Sequence, residues 1–451
     1  AVASLPDAAH CLDARARGAS ARRLRAEDRV AVAAVETRLQ QADALLRAGL
    51  YADALTEARA AVAAAAALGL PQVEAQARLA LGRALAETGA LVDSERELRA
   101  TAKLAAGAGD DITEAASWID LLDVVADAQR PDESLAMAPL VEAAVERAGS
   151  PAALRAALAF SAAVIRIEAG RYAEAHPFLE RALAIWTDEL DPSHPEVARV
   201  LNTMGNLASY RGDYDDAVTR YGQALARREA ALGPSHPGVA SVLANLADLE
   251  LDRGHAARSL ERCQRALAIL EATTGGDPRG REHALRCIGS AQAQLGRLEL
   301  AHAALTAAVA IGEGDGAAGR TGFLVYDLTA LAGVECARGQ PARALALVDR
   351  ALALAVNKTD RRAMVAVRGR ALNDLGRGAE VEAELAAALA VFDGRPDDRA
   401  ALEFELARAL WPDRGARARA RTLATAARER YAAAGQTREL ERVDAWLRAR
   451  G

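Results

Sequence analysis

Residues 195–269 read PEVARVLNTMGNLASYRGDYDDAVTRYGQALARREAALGPSHPGVASVLANLADLELDRGHAARSLERCQRALAI, and the stretch nearly repeats itself at an offset of 42 residues. Ser193-His194-Pro195 returns as Ser235-His236-Pro237, Val197-Ala198 as Val239-Ala240, and Leu201 as Leu243. Gly212 returns as Gly254, and Ala224-Leu225-Ala226 as Ala266-Leu267-Ala268. A fixed period of this length marks a stacked array of helix pairs, each hiding its apolar face only against its neighbours. The first helix of the period starts at Pro195, whose missing N–H falls where a helix has no internal acceptor for one. Val197, Val200, Leu201, Met204, Leu207 and Ala208 follow at helical spacing, and Gly212 supplies the left-handed residue that ends the helix. A second helix is expected from Asp213 to Leu232, with Tyr214, Ala217, Val218, Tyr221, Ala224 and Leu225 on one face. Gly205 and Ala217 are small enough to let the two helices approach closely.

Outward from this stretch the same punctuation recurs. Hinges are read at Gly49, Gly89, Gly170, Gly212, Gly254, Gly296, Gly339, Gly376 and Arg414-Gly415. One more, at Gln129-Arg130-Pro131, lacks glycine and is placed by spacing alone. Ten helix pairs result, closed by a helix from Thr437 to Arg450 that covers the last apolar face. Residues 1–27 read as a lead-in segment, 28–150 as divergent pairs, 151–320 as the clearest repeats, and 321–451 as further repeats with the closing helix.

The letters of residues 151–320 resemble the tetratricopeptide repeat. Leu201-x-x-x-Gly205, then Gly212-Asp213-Tyr214-x-x-Ala217, then Ala224-Leu225 carry the likeness. The linkers 190–198 (LDPSHPEVA) and 232–240 (LGPSHPGVA) are similar to its kinesin-light-chain variety, as is Pro177 inside a second helix. The Leu-Asn-Asn-Leu-Ala motif of that variety survives in part, at 201–205 and 243–247. The resemblance implies an all-α fold, a right-handed superhelical solenoid of about ten antiparallel helix pairs with a C-terminal capping helix. It also implies a concave side, lined by first helices, that holds extended peptides. Counting from each hinge glycine puts Arg199, Asn202, Asn206 and Ser209 there, then Ser241, Ala244 and Asp248, then His283, Arg286 and Ser290. Asparagine suits such a surface because its amide offers a donor and an acceptor to peptide backbone. A second likeness concerns Leu5–Asp13, Val30–Leu39, Gly49–Leu55, Glu114–Trp118 and Val145–Pro151. These resemble the C-terminal region of bacterial, myxobacterial-type serine/threonine protein kinases, in which a kinase domain and commonly a membrane helix come first. A non-catalytic scaffold or sensor module binding protein partners is the function these likenesses imply. The alternative is the sensing repeat domain of a multidomain ATPase-type transcription regulator.

Composition narrows the field further. Apolar residues are 51% of the 451 and aromatics only 4%, so the core is largely Ala and Leu. The net charge is −6, which argues against a general nucleic-acid binder, since phosphate contact depends on concentrated basic surface. No run approaches the roughly 18 apolar residues of a membrane helix, so no membrane insertion is expected. Cys11, Cys263, Cys287 and Cys336 form no CxxC pair and read as ordinary thiols. The chain opens Ala1-Val2-Ala3 without methionine or a signal-peptide core, which reads as a fragment or processed product, a soluble module that is cytoplasmic by default.

The remaining motifs resolve into structural features. Gly314-Asp315-Gly316-x-x-Gly319 is a formal GxGxxG, but a helix precedes it where phosphate binding needs a strand, and the P-loop lysine is replaced by Arg320. No cofactor is expected. His194 and His236 recur at the repeat period between a serine and a proline. Without neighbouring ligands at zinc spacing they read as helix-start caps, so no metal is expected. Asp215-Asp216 and Asp397-Asp398 stand at helix starts, where they suit the dipole. GxSxG, HRD and DFG are absent, so no catalytic residue is assigned. Arg414 to Arg421 is a basic run read as a solvated face, and Asn357-Lys358-Thr359 is a formal glycosylation sequon.

Overall fold

The computed structural model describes residues 26–128, 130–272, 278–314, 321–355, 361–391 and 396–450. The early Leu5–Asp13 run, Cys11, hinge residue Gln129, most of the glycine-rich loop after Gly314 and the sequon at Asn357 lie outside them. The described residues form antiparallel helix pairs, as the repeat predicts. In order these are α1 (Ala26–Arg47) with α2 (Tyr51–Leu68), α3 (Pro71–Glu87) with α4 (Leu91–Ala108), and α5 (Asp111–Asp127) with α6 (Pro131–Arg147). Next come α7 (Ala152–Glu168) with α8 (Tyr172–Ala184), α9 (Pro195–Tyr210) with α10 (Tyr214–Leu232), and α11 (Pro237–Asp252) with α12 (Ala256–Ala272). Then follow α13 (Pro278–Gln294) with α14 (Leu298–Gly312), α15 (Thr321–Ala337) with α16 (Pro341–Leu354), and α17 (Arg361–Asp374) with α18 (Glu382–Ala390). The last pair, α19 (Pro396–Leu410) with α20 (Arg417–Ala433), is followed by a single helix, α21 (Thr437–Arg448).

Two positions, counted from the hinge, explain why each pair closes. The residue seven before the hinge is Gly82, Gly205, Gly289 or Gly369 in four pairs, and fully buried Ala42, Ala163, Ala247 or Ala332 in four others. Across from the glycines, on the second helix, stand Leu98, Tyr221, Leu305 and Leu385. A β-carbon at Gly289 would lie 2.5 Å from Leu305, and one at Gly205 2.6 Å from Tyr221, so the helices meet at a distance only a missing side chain permits. The residue five after the hinge is Ala54, Ser94, Ser134, Ala175, Ala217, Ser259, Ala301 or Ala344, every one without solvent exposure where it is described. Where it is serine its hydroxyl is satisfied internally. Ser94 donates to the Gly82 carbonyl at 2.7 Å and Ser134 to the Leu122 carbonyl at 2.8 Å, so neither leaves an unpaired buried hydroxyl.

The chain divides into two compact units. The first comprises Ala1–Met204, Gln223–Gly238 and Glu271–Asp277, and the second Gly205–Gly222, Val239–Leu270 and Pro278–Gly451. In the first, α3 packs on α1 and α5, and α5 on α7. In the second, α15 packs on α13 and α17, and α17 on α19. Second helices such as α2 and α4, or α14 and α16, do not approach their counterparts as closely, so first helices form the inner row of each unit.

Each unit also returns on itself. In the first, Pro237 sits against Gly49, where a β-carbon would come within 2.6 Å of the proline ring, and the His236 imidazole lies 2.5 Å from the Arg47 carbonyl. In the second, the loop before α21 lies on the hinge after α11. There Gly254 and Gly435, both in left-handed backbone, touch so closely that a β-carbon on Gly254 would be 2.5 Å from the Gly435 carbonyl. Gln436 donates to the Asp252 carbonyl at 3.2 Å, Gln294 to Leu251 at 3.1 Å and Arg438 to Ala293 at 2.5 Å. Side chains of the α20–α21 turn thus satisfy the orphan carbonyls at the ends of α11 and α13.

Candidate functional site

The inner row of the first unit carries a charged site assembled from three successive first helices. Arg199 on α9 donates to Glu196 one turn earlier at 3.1 Å, approaches Asp123 on α5 at 3.7 Å, and lays its guanidinium over the Phe160 ring of α7 at 4.1 Å. Burial pushes the Asp123 carboxyl up to about 7, against the pull of Arg199. Beside it Arg83 on α3 binds Asp120 on α5 at 2.6 Å. Arg199 and Asp123 keep 45% and 31% of their side-chain surface exposed, so solvent, or a ligand, reaches both. Asn202, the other expected groove residue of this unit, is half-buried one turn along α9 from Arg199.

The inner row of the second unit holds the remaining expected residues. Asp248 on α11 and His283 on α13 meet at 2.7 Å. Arg286, one turn from His283, reaches Asp327 on α15 at 3.3 Å and lies 5.7 Å from the Tyr326 ring. Asp327 has no exposed surface and Glu282 beside it almost none. Burial drives the Asp327 carboxyl up to about 8, Arg286 opposing and the hydrogen-bonded Glu282 adding to the rise. Asn206 is turned toward its own partner helix, its amide oxygen accepting from the Tyr221 hydroxyl at 2.7 Å. Ser209 and Ser290 are half-buried and Ser241 is exposed. Sequence reasoning missed Asp123, Phe160, Glu282 and Asp327. The signal available was a carboxylate inside an apolar run, as in Leu324-Val325-Tyr326-Asp327-Leu328.

The two repeat histidines cap helices. Nδ1 of His194 accepts from the Glu196 amide at 3.3 Å, and Nδ1 of His236 from the Gly238 amide at 3.0 Å. His194 also stacks on Trp186 with ring centres 4.3 Å apart. Burial lowers the pKa of both, as their acceptor role requires. The cysteines depart from expectation. Cys263 and Cys287 are bridged as a disulfide, Cα atoms 6.0 Å apart, where the sequence reads as ordinary thiols. The reason lies in the packing: Cys263 stands on α12 opposite small Ala247, in the seam where Cys287 of α13 also arrives. Cys336 is a free, buried thiol pushed up to about 11. A cleft of about 350 Å³ opens where Gly254 meets Gly435, lined in part by His255, Arg258, Gln294 and Arg438. Among the described residues no group of three His, Cys, Asp or Glu side chains is placed to hold a metal, and no helix is long and apolar enough to cross a membrane.

Residues 154–230 and 208–272 match the tetratricopeptide repeat family. No curated protein matches the chain by sequence. Among solved structures, a Rap protein complexed with Competence and Sporulation Factor is similar over 84% of this chain and 99% of its own, at 14% identity and a TM-score of 0.54. BtubC (BKLC) from P. vanneervenii is similar over 50% of this chain and 89% of its own, with 21% identity and a TM-score of 0.40. Nearly identical repeats of a putative kinesin light chain from Podosopora anserina cover 44% of this chain and 95% of their own, with 20% identity and a TM-score of 0.34. The fold is therefore that of a tetratricopeptide-type helical repeat array.

Proposed function

We propose that the chain is a non-catalytic protein-interaction module that holds an extended partner segment along the inner row of first helices. The observation that carries this reading is the site around Arg199. A cation and two carboxylates, partly exposed, converge there over a buried aromatic ring, from three different helices at the spacing of the repeat. Such a site offers a peptide charge complementarity. The Rap protein, of similar fold, is complexed with Competence and Sporulation Factor, which supports the use of such an array for capture. The finer assignment, to the C-terminal part of a bacterial serine/threonine protein kinase, rests on the likeness of residues 5–151. HRD and DFG motifs encoded upstream would support it, whereas a Walker lysine and a helix-turn-helix would favour the transcription-regulator reading.

Partner capture by the purified chain, compared with an Arg199→Glu variant, tests the groove. Partners lost in the variant place recognition on the inner row of the first unit. Partners retained at full strength remove the groove from consideration and move recognition to the outer helices or loops.

A further inference from the structure

Cys263 and Cys287 occupy two positions that recur through the array. Cys263 is the ninth residue after the hinge glycine Gly254, and Cys287 the ninth before the next hinge glycine, Gly296. In neighbouring repeats the same two positions hold Leu179 and Thr203, Tyr221 and Asn245, or Leu305 and Ala330. Cysteine stands at both positions at one repeat boundary alone, that between α12 and α13.

The linker at that boundary differs as well. Between α8 and α9, and again between α10 and α11, the chain reads Pro-Ser-His-Pro, and His194 and His236 cap the helix that follows. Between α12 and α13 residues 273–280 read TTGGDPRG, with no histidine. The covalent bridge stands where the histidine of the other two linkers is missing. It joins residues 24 apart in sequence with Cα atoms 6.0 Å apart, which limits how far α13 can move from α12.

What the bridge holds lies on the inner row. Cys287 is one turn along α13 from His283, and Ala247, which shares the buried cluster of the two cysteines, precedes Asp248 on α11. Asp248 and His283 meet at 2.7 Å, and Arg286, the residue before Cys287, reaches buried Asp327 at 3.3 Å. Neither cysteine has more than 1% of its surface exposed, and the Ser259 hydroxyl lies 3.9 Å from each sulfur.

We propose that the Cys263–Cys287 bridge is a redox-sensitive staple that fixes α13, with His283 and Arg286, on the inner row of the second unit. It opens by exchange with a dithiol. One thiolate of the reductant attacks a bridge sulfur and releases one cysteine, and its second thiolate resolves the mixed disulfide and releases the other. Two electrons and two protons pass to the protein, and the dithiol leaves as a disulfide. Closure is the same exchange with oxidised glutathione, which takes up the two electrons and leaves as two thiols. Because both cysteines are buried, exchange waits on local opening of the α12–α13 seam, so the staple follows the standing redox state of a compartment and not a brief pulse. Where dithiol reductants are scarce the second unit is stapled, and where they are abundant α13 is held by noncovalent contacts alone.

The test unfolds the full chain in dithiothreitol and refolds it either with dithiothreitol or in a buffer of oxidised and reduced glutathione. Peptide mapping of the glutathione form alone is expected to yield a fragment cross-linked between Cys263 and Cys287. Amide exchange across residues 283–294 should be about tenfold slower in that form, with a higher melting temperature. Cys263→Ala/Cys287→Ala should lose the difference between the two buffers, whereas Cys336→Ala keeps it. Cys287→Ser alone, checked by circular dichroism, gives the same readout should the double variant fold poorly. Three results would overturn the proposal: no such cross-link in the glutathione buffer, equal exchange across 283–294 in both forms, or a redox response that survives in the folded double or single variant.

Discussion

The two units place the same residue pair on their inner rows and put it to different ends. Arg199 and Asp123 sit 3.7 Å apart with 45% and 31% of their side chains exposed, whereas Arg286 and Asp327 sit 3.3 Å apart with 20% and none. The first pair is wet and flanked by an aromatic face. The second is dry and shares its charge with Glu282. An exposed pair contributes little to stability and stays available to a ligand, while a buried one is costly to break because a lone charge remains behind. On this ground the first pair is the one open to solvent, and the second is held by burial. The closures differ as well: an imidazole fastens the first unit, and glutamine amides and an arginine fasten the second.

The sharpest way to break the contrast is to remove each arginine. Arg286→Ala is expected to cost about 3–5 kcal/mol above pH 8, where buried Asp327 is ionised and loses the arginine that faces it. Arg199→Ala should cost about 1 kcal/mol or less. Urea unfolding of the two variants measures the difference, and equal losses would erase the distinction. A second probe is pH. Asp327 titrates at about 8 in the folded chain and near 4 when unfolded, so the folded state binds more protons between those values. Its contribution to stability is therefore full below pH 4 and lost as pH rises through about 8. Asp327→Asn should flatten the melting temperature over that window, and Asp123→Asn should do so only up to about 7 and by less. The smallest effect concerns the closures. His236 has a lowered pKa, so its cap is intact above its unfolded value near 6.5 and fails as pH falls through the folded one. Protection of the Gly238 amide against hydrogen exchange should fall as pH drops below about 6.5, while residues 251–254 respond less. Equal responses would deny His236 its role.

Much of the architecture is written in short-range signals. Pro195 and Gly212 fix where a helix starts and stops, and both are local choices that the sequence displays directly. The helix-capping role of His194 and His236 is equally local, since donor and acceptor lie two residues apart. The inner-row sites are only half legible. Arg199, His283 and Arg286 follow from counting along a helix, but Asp123 reaches Arg199 across an intervening pair, and no periodicity within 42 residues encodes that meeting. Asn206 shows the opposite failure. Its place in the count points inward, yet its amide oxygen accepts from the Tyr221 hydroxyl of its own partner helix. The Cys263–Cys287 bridge depends on which two helices share a seam, and the residues alone do not state it.

The return of each unit on itself bears on how it comes apart. A linear array of repeats frays, since its end pairs have one neighbour and its stability sums along a line. Here the hinge at Gly49 is held by Pro237 and the hinge at Gly254 by Gly435, so these two repeats are tied to distant parts of their own units. Contacts spanning 189 and 184 residues replace the one-dimensional chain of neighbours with a loop. Each unit is then a single cooperative body, slow to assemble because its ends must first find each other and abrupt when it fails.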